Sequence, residues 1–217
     1  MITNEAEARA WVAALPQVDA VALDRLEMLV ALLAEENRRQ NLVSASSLEA
    51  VWQRHIADSA QLLLHVSRET QSGPWLDLGT GAGFPGLAIA CLRPETEVVM
   101  VESRKKRIDW LAQAIVSLGL ARANVVGTRL ELLPTRPFSV ISARAFAPLQ
   151  RLLDLSARFS TSATCWLLPK GRSARHELAE LAGWHHAFHV EQSLTDPEGG
   201  IIAGSVSGKA ANRGRKR

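Results

Sequence analysis

One run carries the densest chemical signal in the chain: Asp77-Leu78-Gly79-Thr80-Gly81-Ala82-Gly83-Phe84-Pro85-Gly86. Glycines at 79, 81 and 83 let a main chain turn sharply and pass close to a ligand. A helix starting just after such a turn offers free N–H groups and a positive dipole end. An anion, phosphate or carboxylate, is therefore expected there. At the end of the next apolar run stands Glu102, whose carboxylate can accept hydrogen bonds from both hydroxyls of a ribose. A ribose beside an anion fits two cofactors. A dinucleotide would set its pyrophosphate at the helix end. S-adenosylmethionine would set its methionine carboxylate in this region, with its sulfonium nearby. The dinucleotide fingerprint wants glycine or alanine three residues after its second glycine. Here that position is the bulky Phe84, and the third glycine is Gly83, giving G-x-G-x-G. This spacing favours the methyl donor.

Further candidates follow later apolar runs. Arg129, Leu130 and Glu131 stand where an adenine would lie, with Leu130 placed to pack on the base. Leu130 as core and Glu131 as a helix cap is the alternative reading. Ser142-Ala143-Arg144-Ala145-Phe146 stands where a methyl acceptor should approach. The Asn/Asp-Pro-Pro-aromatic turn usual in amino-group methyltransferases is missing from it. Cys165 follows Thr164 and lacks the Pro-Cys setting of a carbon-5 nucleophile. Cys91 and Cys165 both sit in apolar runs and read as buried, reduced thiols. His185 and His186 have no carboxylates at metal spacing, so no metal site is expected. His55, Asp58 and Ser59 share a helix face. His55 with Asp58 reads as a structural polar pair docking that helix on the sheet. Trp52 and Trp75 read as core.

The elements that must position these residues change character near Gly73. Before it, helices are expected: a short one before Pro16, then Asp19–Arg39, with an apolar stripe through Leu23, Leu26, Val30 and Leu33. Ser46 with Glu49 fits a capping box for a further helix carrying Trp52, Ile56 and Leu63. After Gly73, strands are expected over 74–78, 97–101, 124–128, 138–143 and 164–168, making five βα units. Two final strands, 185–191 and 201–206, flank a turn with Pro197, Gly199 and Gly200, and should pair antiparallel. Repeated βα units imply a parallel sheet with helices on both faces, and ligands at the carboxyl ends of the strands. The expected division is a helical extension over 1–70, an α/β core over 71–208 and a basic tail over 209–217.

The 217 residues suit that size of domain, and an apolar fraction of 47% excludes a disordered chain. The N-terminus, MITNEAEARA, has no basic segment leading into an apolar core, and no apolar run approaches the roughly 18 residues of a span. A cytoplasmic protein without membrane contact is expected. The net charge of +3 hides an asymmetry: Lys209, Arg213, Arg215, Lys216 and Arg217 crowd the end without an acid. The 25 bases less those five, against 22 acids, leave the body slightly acidic. Such a tail can reach phosphates without folding.

These motifs together resemble one family, the bacterial 16S ribosomal RNA guanine-N7 methyltransferases, also called the glucose-inhibited division protein B family. The resemblance rests on Asn41-Leu42, Arg54-His55, Asp58-Ser59 and Leu76 through Gly86, then Glu102-Ser103, Lys106-Arg107 and Trp110-Leu111. Ser142 through Ala147 and Lys170-Gly171 complete it. Glu102 stands where many members have Asp, which keeps the charge. The resemblance implies a class I methyltransferase (Rossmann-like) fold, with a mostly parallel seven-stranded sheet, and S-adenosylmethionine as donor. It implies N7 of one guanine in 16S ribosomal RNA, free or in the small subunit, as acceptor. Gly79, Phe84, Leu130, Glu131 and Arg144 should then line the donor site, together with Gly81 and Glu102 from the spacing above. Arg144 also faces the acceptor side and would hold the guanine or the methionine carboxylate. Lys170 would touch guanine O6 or a phosphate; an ordinary surface lysine is its alternative reading. No residue is assigned as a catalytic base, and a monomer is expected. Two rival readings remain. One is a dinucleotide-dependent oxidoreductase, against which Phe84 and the complete lack of tyrosine weigh. The other is a non-catalytic RNA-binding or assembly factor on the same fold, against which the glycine turn and Glu102 weigh.

Overall fold

The computed structural model describes residues 1–67, 70 and 73–210. Three helices come first: α1 (Glu5–Ala13), α2 (Ala20–Asn37) and α3 (Ala45–Glu49). Asn4 caps α1 by accepting from the Glu7 N–H, and Asp19 caps α2 by accepting from Ala22 N–H at 2.7 Å. The cap of α3 is Ser44, whose Oγ accepts from Ser47 N–H, and not the expected Ser46, which lies inside the helix. A helical run from Trp52 to His65 follows. It is wound as a π-helix over Trp52–Ala57, as an α-helix (α4) over Asp58–Ala60 and as a 3₁₀ helix over Gln61–His65. The Glu5 carboxylate accepts from the N–H groups of Trp52 and Gln53 at 2.9 and 2.8 Å, which fastens α1 to the start of this run.

The core alternates strands β1 (Trp75–Leu78), β2 (Val98–Glu102), β3 (Ala123–Gly127), β4 (Val140–Ser142) and β5 (Cys165–Gly171) with helices. The helices are α5 (Gly86–Leu92), α6 (Lys105–Ser117), α7 (Leu149–Ser156) and α8 (Ala174–Ala179). After β3, where a full helix would complete the pattern, there is one 3₁₀ turn, Leu130–Leu132. The chain closes with β6 (Trp184–His186), β7 (His189–Gln192), β8 (Gly200–Gly204) and β9 (Val206–Lys209). Seven strands form one sheet in the order β3-β2-β1-β4-β5-β8-β7, parallel except for β8.

Side chains alternate between two cores across this sheet. Trp75, Val98, Met100, Val140, Leu167 and Ile201 face α5, α6 and the N-terminal helices, where Leu26, Leu29 and Leu33 of α2 are fully buried. Leu76, Val99, Ile141, Trp166, Leu168 and Ile202 face α7 and α8. Burial on both faces is why the central strands read as near-continuous apolar runs. Cys91 and Cys165 are unpaired, and burial pushes their thiols up to about 12 and about 11, so neither is a thiolate at neutral pH.

The C-terminal hairpin differs from the expectation of two unbroken strands. It folds over at Ala187–Phe188 and at Gly204, so that β6 and β9 form a separate two-stranded sheet. Phe188 turns into the core and meets Trp166 edge-on at 6.4 Å, which pulls the chain off the straight path. Gly204 has φ 138°, and a Cβ there would stand 2.3 Å from Ala187 O. The first residue of the expected basic tail, Lys209, belongs to a strand. Lys209 closes β9, pairs with Asp154 at 3.1 Å and lies over the Trp184 ring. The tail's remaining arginines and lysine, in 211–217, lie outside the described residues. No helix among the described residues is long and apolar enough to cross a membrane.

Candidate active site

Strand order reverses between β1 and β4, and their carboxyl ends open a crevice there. The glycine turn leaves β1 at this point, with φ of 62°, 60° and 105° at Gly79, Gly81 and Gly83. Trp110 of α6 donates to Ala82 O at 3.0 Å and steadies the turn. The anion expected at the start of α5 turns out to be the protein's own. Asp77 Oδ2 accepts from Gly86 N–H at 3.0 Å, and Leu87 N–H bonds Gly83 O. The first helical amides are thereby taken. Asp77 Oδ1 accepts from Ser142 Oγ at 2.7 Å, and Ser142 Oγ accepts from Trp75 Nε1 at 2.8 Å, tying β1 to β4. Complete burial pushes the Asp77 carboxyl up to about 6.

Two hollows flank the turn. The first, of about 430 Å³, is lined by Gly79, Glu102, Arg107, Thr128, Leu130 and Glu131, among others. Glu102 is buried at the tip of β2. Its Oε1 accepts from the N–H groups of Ser103 and Arg104 at 2.7 and 2.9 Å, while Arg107 approaches Oε2 at 3.8 Å. Oε2 is therefore the oxygen left for a ligand. Leu130 is buried in the wall, its carbonyl held by Arg158 at 2.7 Å, and the Glu131 side chain is exposed without a capping bond.

The second hollow, of about 760 Å³, is lined by His55, Asp58, Arg144, Lys170 and Glu177, and by the segment 193–201 in part. Ala145 and Phe146 belong to the walls of both hollows. The Phe146 ring lies on the glycine turn: a Cβ built on Gly79 would stand 2.3 Å from its Cδ2. Ala145 carries φ 53°, a left-handed conformation that costs an L-residue about 1–2 kcal/mol. Arg144 reaches across to the helical run, donating to Arg54 O at 3.0 Å, Asp58 Oδ2 at 3.2 Å and His55 Nδ1 at 2.9 Å.

The residues singled out from sequence thus divide. Gly79, Glu102, Leu130 and Glu131 line the first hollow; Arg144 and Lys170 line the second. Gly81 and Phe84 line neither. Phe84 is buried beneath the turn, with its ring stacked on His55 at 4.9 Å and the Arg144 guanidinium 5.6 Å from its centre. Lys170 is neither a free side chain nor a surface lysine. Its ammonium pairs with Glu177 at 2.9 Å and donates to Ala147 O, and its side chain is only 7% exposed. His55 and Asp58 converge on Arg144. Sequence reasoning missed Phe146, although it stood in the quoted motif. It also gave no role to Arg107, which stood in a quoted motif, and missed Glu177, which carries no local signature. Among the described residues, no cluster of His, Cys, Asp or Glu could hold a metal ion.

The sequence matches the family described as GidB, rRNA small subunit methyltransferase G, over residues 22–195. The chain belongs to that family. Among curated relatives, the ribosomal RNA small subunit methyltransferase G of Erythrobacter litoralis is 59% identical, covering 94% of this chain and 97% of its own. The protein of the same name from Zymomonas mobilis is 40% identical, covering 97% and 98%. Among solved structures, cofactor-bound Rv0187 from MTB aligns with a TM-score of 0.60 at 17% identity, covering 93% of this chain and 97% of that one. A methyltransferase from Geobacter sulfurreducens aligns with a TM-score of 0.56 at 12% identity, covering 94% and 100%. At such identities these likenesses speak for the fold, and the fold is that of the class I methyltransferases.

Proposed function

We propose that the chain transfers the methyl group of S-adenosylmethionine to N7 of a guanine in 16S ribosomal RNA. Family membership supports the RNA methylation. The observation that carries the placement is the pair of hollows that share Ala145 and Phe146 as walls beside the glycine turn, with Glu102 in one and Arg144 in the other. The residues fit an adenosyl donor. Leu130 offers an apolar wall to a base, Glu102 keeps Oε2 free of backbone donors as an acceptor for ribose hydroxyls, and Gly79 lets the Phe146 ring, which walls both hollows, lie against the turn. When bound, S-adenosylmethionine supplies an electrophilic methyl on a sulfonium.

The chain's own residues then have little proton chemistry to do. Guanine N7 carries a lone pair and no proton at neutral pH, so the attacking atom needs no general base. The task is to place two partners in line and keep water out. Arg144 has donors for a carboxylate or for guanine O6, and must leave N7 free. The carboxylates of Asp58 and Glu177 line the second hollow, paired with Arg144 and Lys170, and offset those cations where the base gains positive charge. The target base enters that hollow on a chain whose phosphates stay outside it, which requires an unstacked or flipped guanine.

The experiment is mass mapping of 16S ribosomal RNA from cells with and without this gene. The proposal expects one N7-methylguanosine to vanish with the gene and to return when it is restored. Unchanged N7 methylation would refute it.

A further inference from the structure

We infer that His55 and Asp58 are positioning residues: together with the Arg54 carbonyl they aim the Arg144 guanidinium into the acceptor hollow. This rests on the reading of Arg144 as a contact for donor or guanine. Arg144 follows β4 at the crevice, yet its side chain is fastened to the helical run at the other end of the sequence order. NH1 donates to Arg54 O and Asp58 Oδ2, and NH2 donates to His55 Nδ1. A guanidinium has five N–H donors and no acceptor. Three are used, and the other two have no partner among the described residues. The side chain is 23% exposed and lines the hollow, so those two remain available to a ligand.

The three acceptors are themselves fixed. Because arginine only donates, His55 Nδ1 must carry its lone pair, which puts the ring proton on Nε2, facing Ser47 Oγ at 3.2 Å. Burial, then the Arg144 and Arg54 charges, push His55 down to about 3, so the acceptor persists at neutral pH. The imidazole is clamped by its stack on Phe84, the residue inside the glycine turn. Asp58 uses Oδ1 to accept from Thr195 Oγ1 and Gln61 Nε2, both at 2.9 Å, which leaves Oδ2 aimed at Arg144. The π-wound turn sets the Arg54 carbonyl beside these two side chains. A bridge that only docked the helices would consume the guanidinium. This one holds one edge of it and presents the other, while Ala145 keeps φ 53° next door. A backbone in that region persists when its surroundings over-determine it.

The test is a double-mutant cycle read in kcat and KM for donor and RNA, with circular dichroism to monitor folding. His55→Phe keeps an aromatic ring against Phe84 and loses the acceptor. His55→Asn sets an amide oxygen near the place of Nδ1. Arg144→Ala removes the group being aimed. We expect His55→Phe to lower kcat/KM about 30-fold, the scale on which misplacement acts. The Asn variant should recover to within about fivefold of wild type. Adding His55→Phe to Arg144→Ala should change activity less than about twofold, since nothing is left to aim. A His55→Phe effect of full size in the Arg144→Ala background, or wild-type activity of His55→Phe while Arg144→Ala is crippled, would overturn the inference alone. Wild-type activity of Arg144→Ala would remove Arg144 from the site and end both readings.

Discussion

His55→Asn should change how stability depends on pH by an amount the structure sets. The imidazole is 7% exposed, and burial with two neighbouring guanidiniums pushes it from the ordinary 6.5 to about 3. The unfolded chain takes up a proton on this histidine near pH 6.5, and the folded chain does so only near 3. Between those values the unfolded state binds more protons, so stability from this group is complete above pH 6.5 and falls as pH falls. Each pH unit is worth about 1.4 kcal/mol, so from pH 6.5 to 5.0 the loss reaches about 2 kcal/mol. Asp77 acts with the opposite sign. Its carboxyl is raised from 3.8 to about 6, the folded state holds the extra proton in that window, and stability from this group falls as pH rises through it. Subtracting variant from wild type cancels Asp77. Urea unfolding at pH 6.5, 5.8 and 5.0 should therefore show the Asn variant gaining about 2 kcal/mol relative to wild type on acidification. Parallel curves for the two proteins, or an imidazole that titrates near 6.5 in the folded protein, would refute the buried, neutral acceptor.

Other outcomes follow from single contacts. Gly79→Ala places a Cβ at φ 62° within 2.3 Å of a Phe146 ring carbon. It should lower Tm, with about 1–2 kcal/mol from the backbone alone, and weaken S-adenosylhomocysteine binding by tenfold or more in calorimetry. Glu102→Ala leaves the Ser103 and Arg104 amides without their acceptor and removes Oε2 from the hollow. Calorimetry should show donor affinity reduced about tenfold or more, while turnover at saturating donor falls less. Leu26→Ala opens a cavity between α2 and the core and should cost about 2–5 kcal/mol in denaturant unfolding, with per-molecule activity at low temperature unchanged.

Much of the fold was legible because strand and helix signals alternate, and both sheet faces are covered by cores that demand apolar residues at successive positions. Gly79 and Glu102 were legible as a pair because a turn of glycines and one acid at a strand tip are local patterns. What escaped depended on distant partners. The break in the hairpin comes from Phe188 reaching Trp166 of β5, and no residue near Phe188 announces that. Ser44 and Ser46 both offer a hydroxyl with a residue three places on, and only the chain path selects Ser44. The helix end taken by Asp77 was hidden because nothing near Asp77 shows that its carboxylate reaches the Gly86 amide nine residues on. Lys170 read as a substrate contact or a surface lysine, and its pairing with Glu177, across a turn from it, left no mark in the sequence. The link between Arg144 and His55 spans two widely separated segments and exists only once the sheet has assembled.

The most direct measurement is a crystal structure of the protein with S-adenosylhomocysteine, supported by a titration in the same buffer. Adenine is expected against Leu130, the ribose hydroxyls on Glu102 Oε2 and the amino-acid end passing Gly79 toward Arg144. Density for the nucleoside anywhere else, with the hollow beside Glu102 vacant at saturating ligand, would contradict this placement.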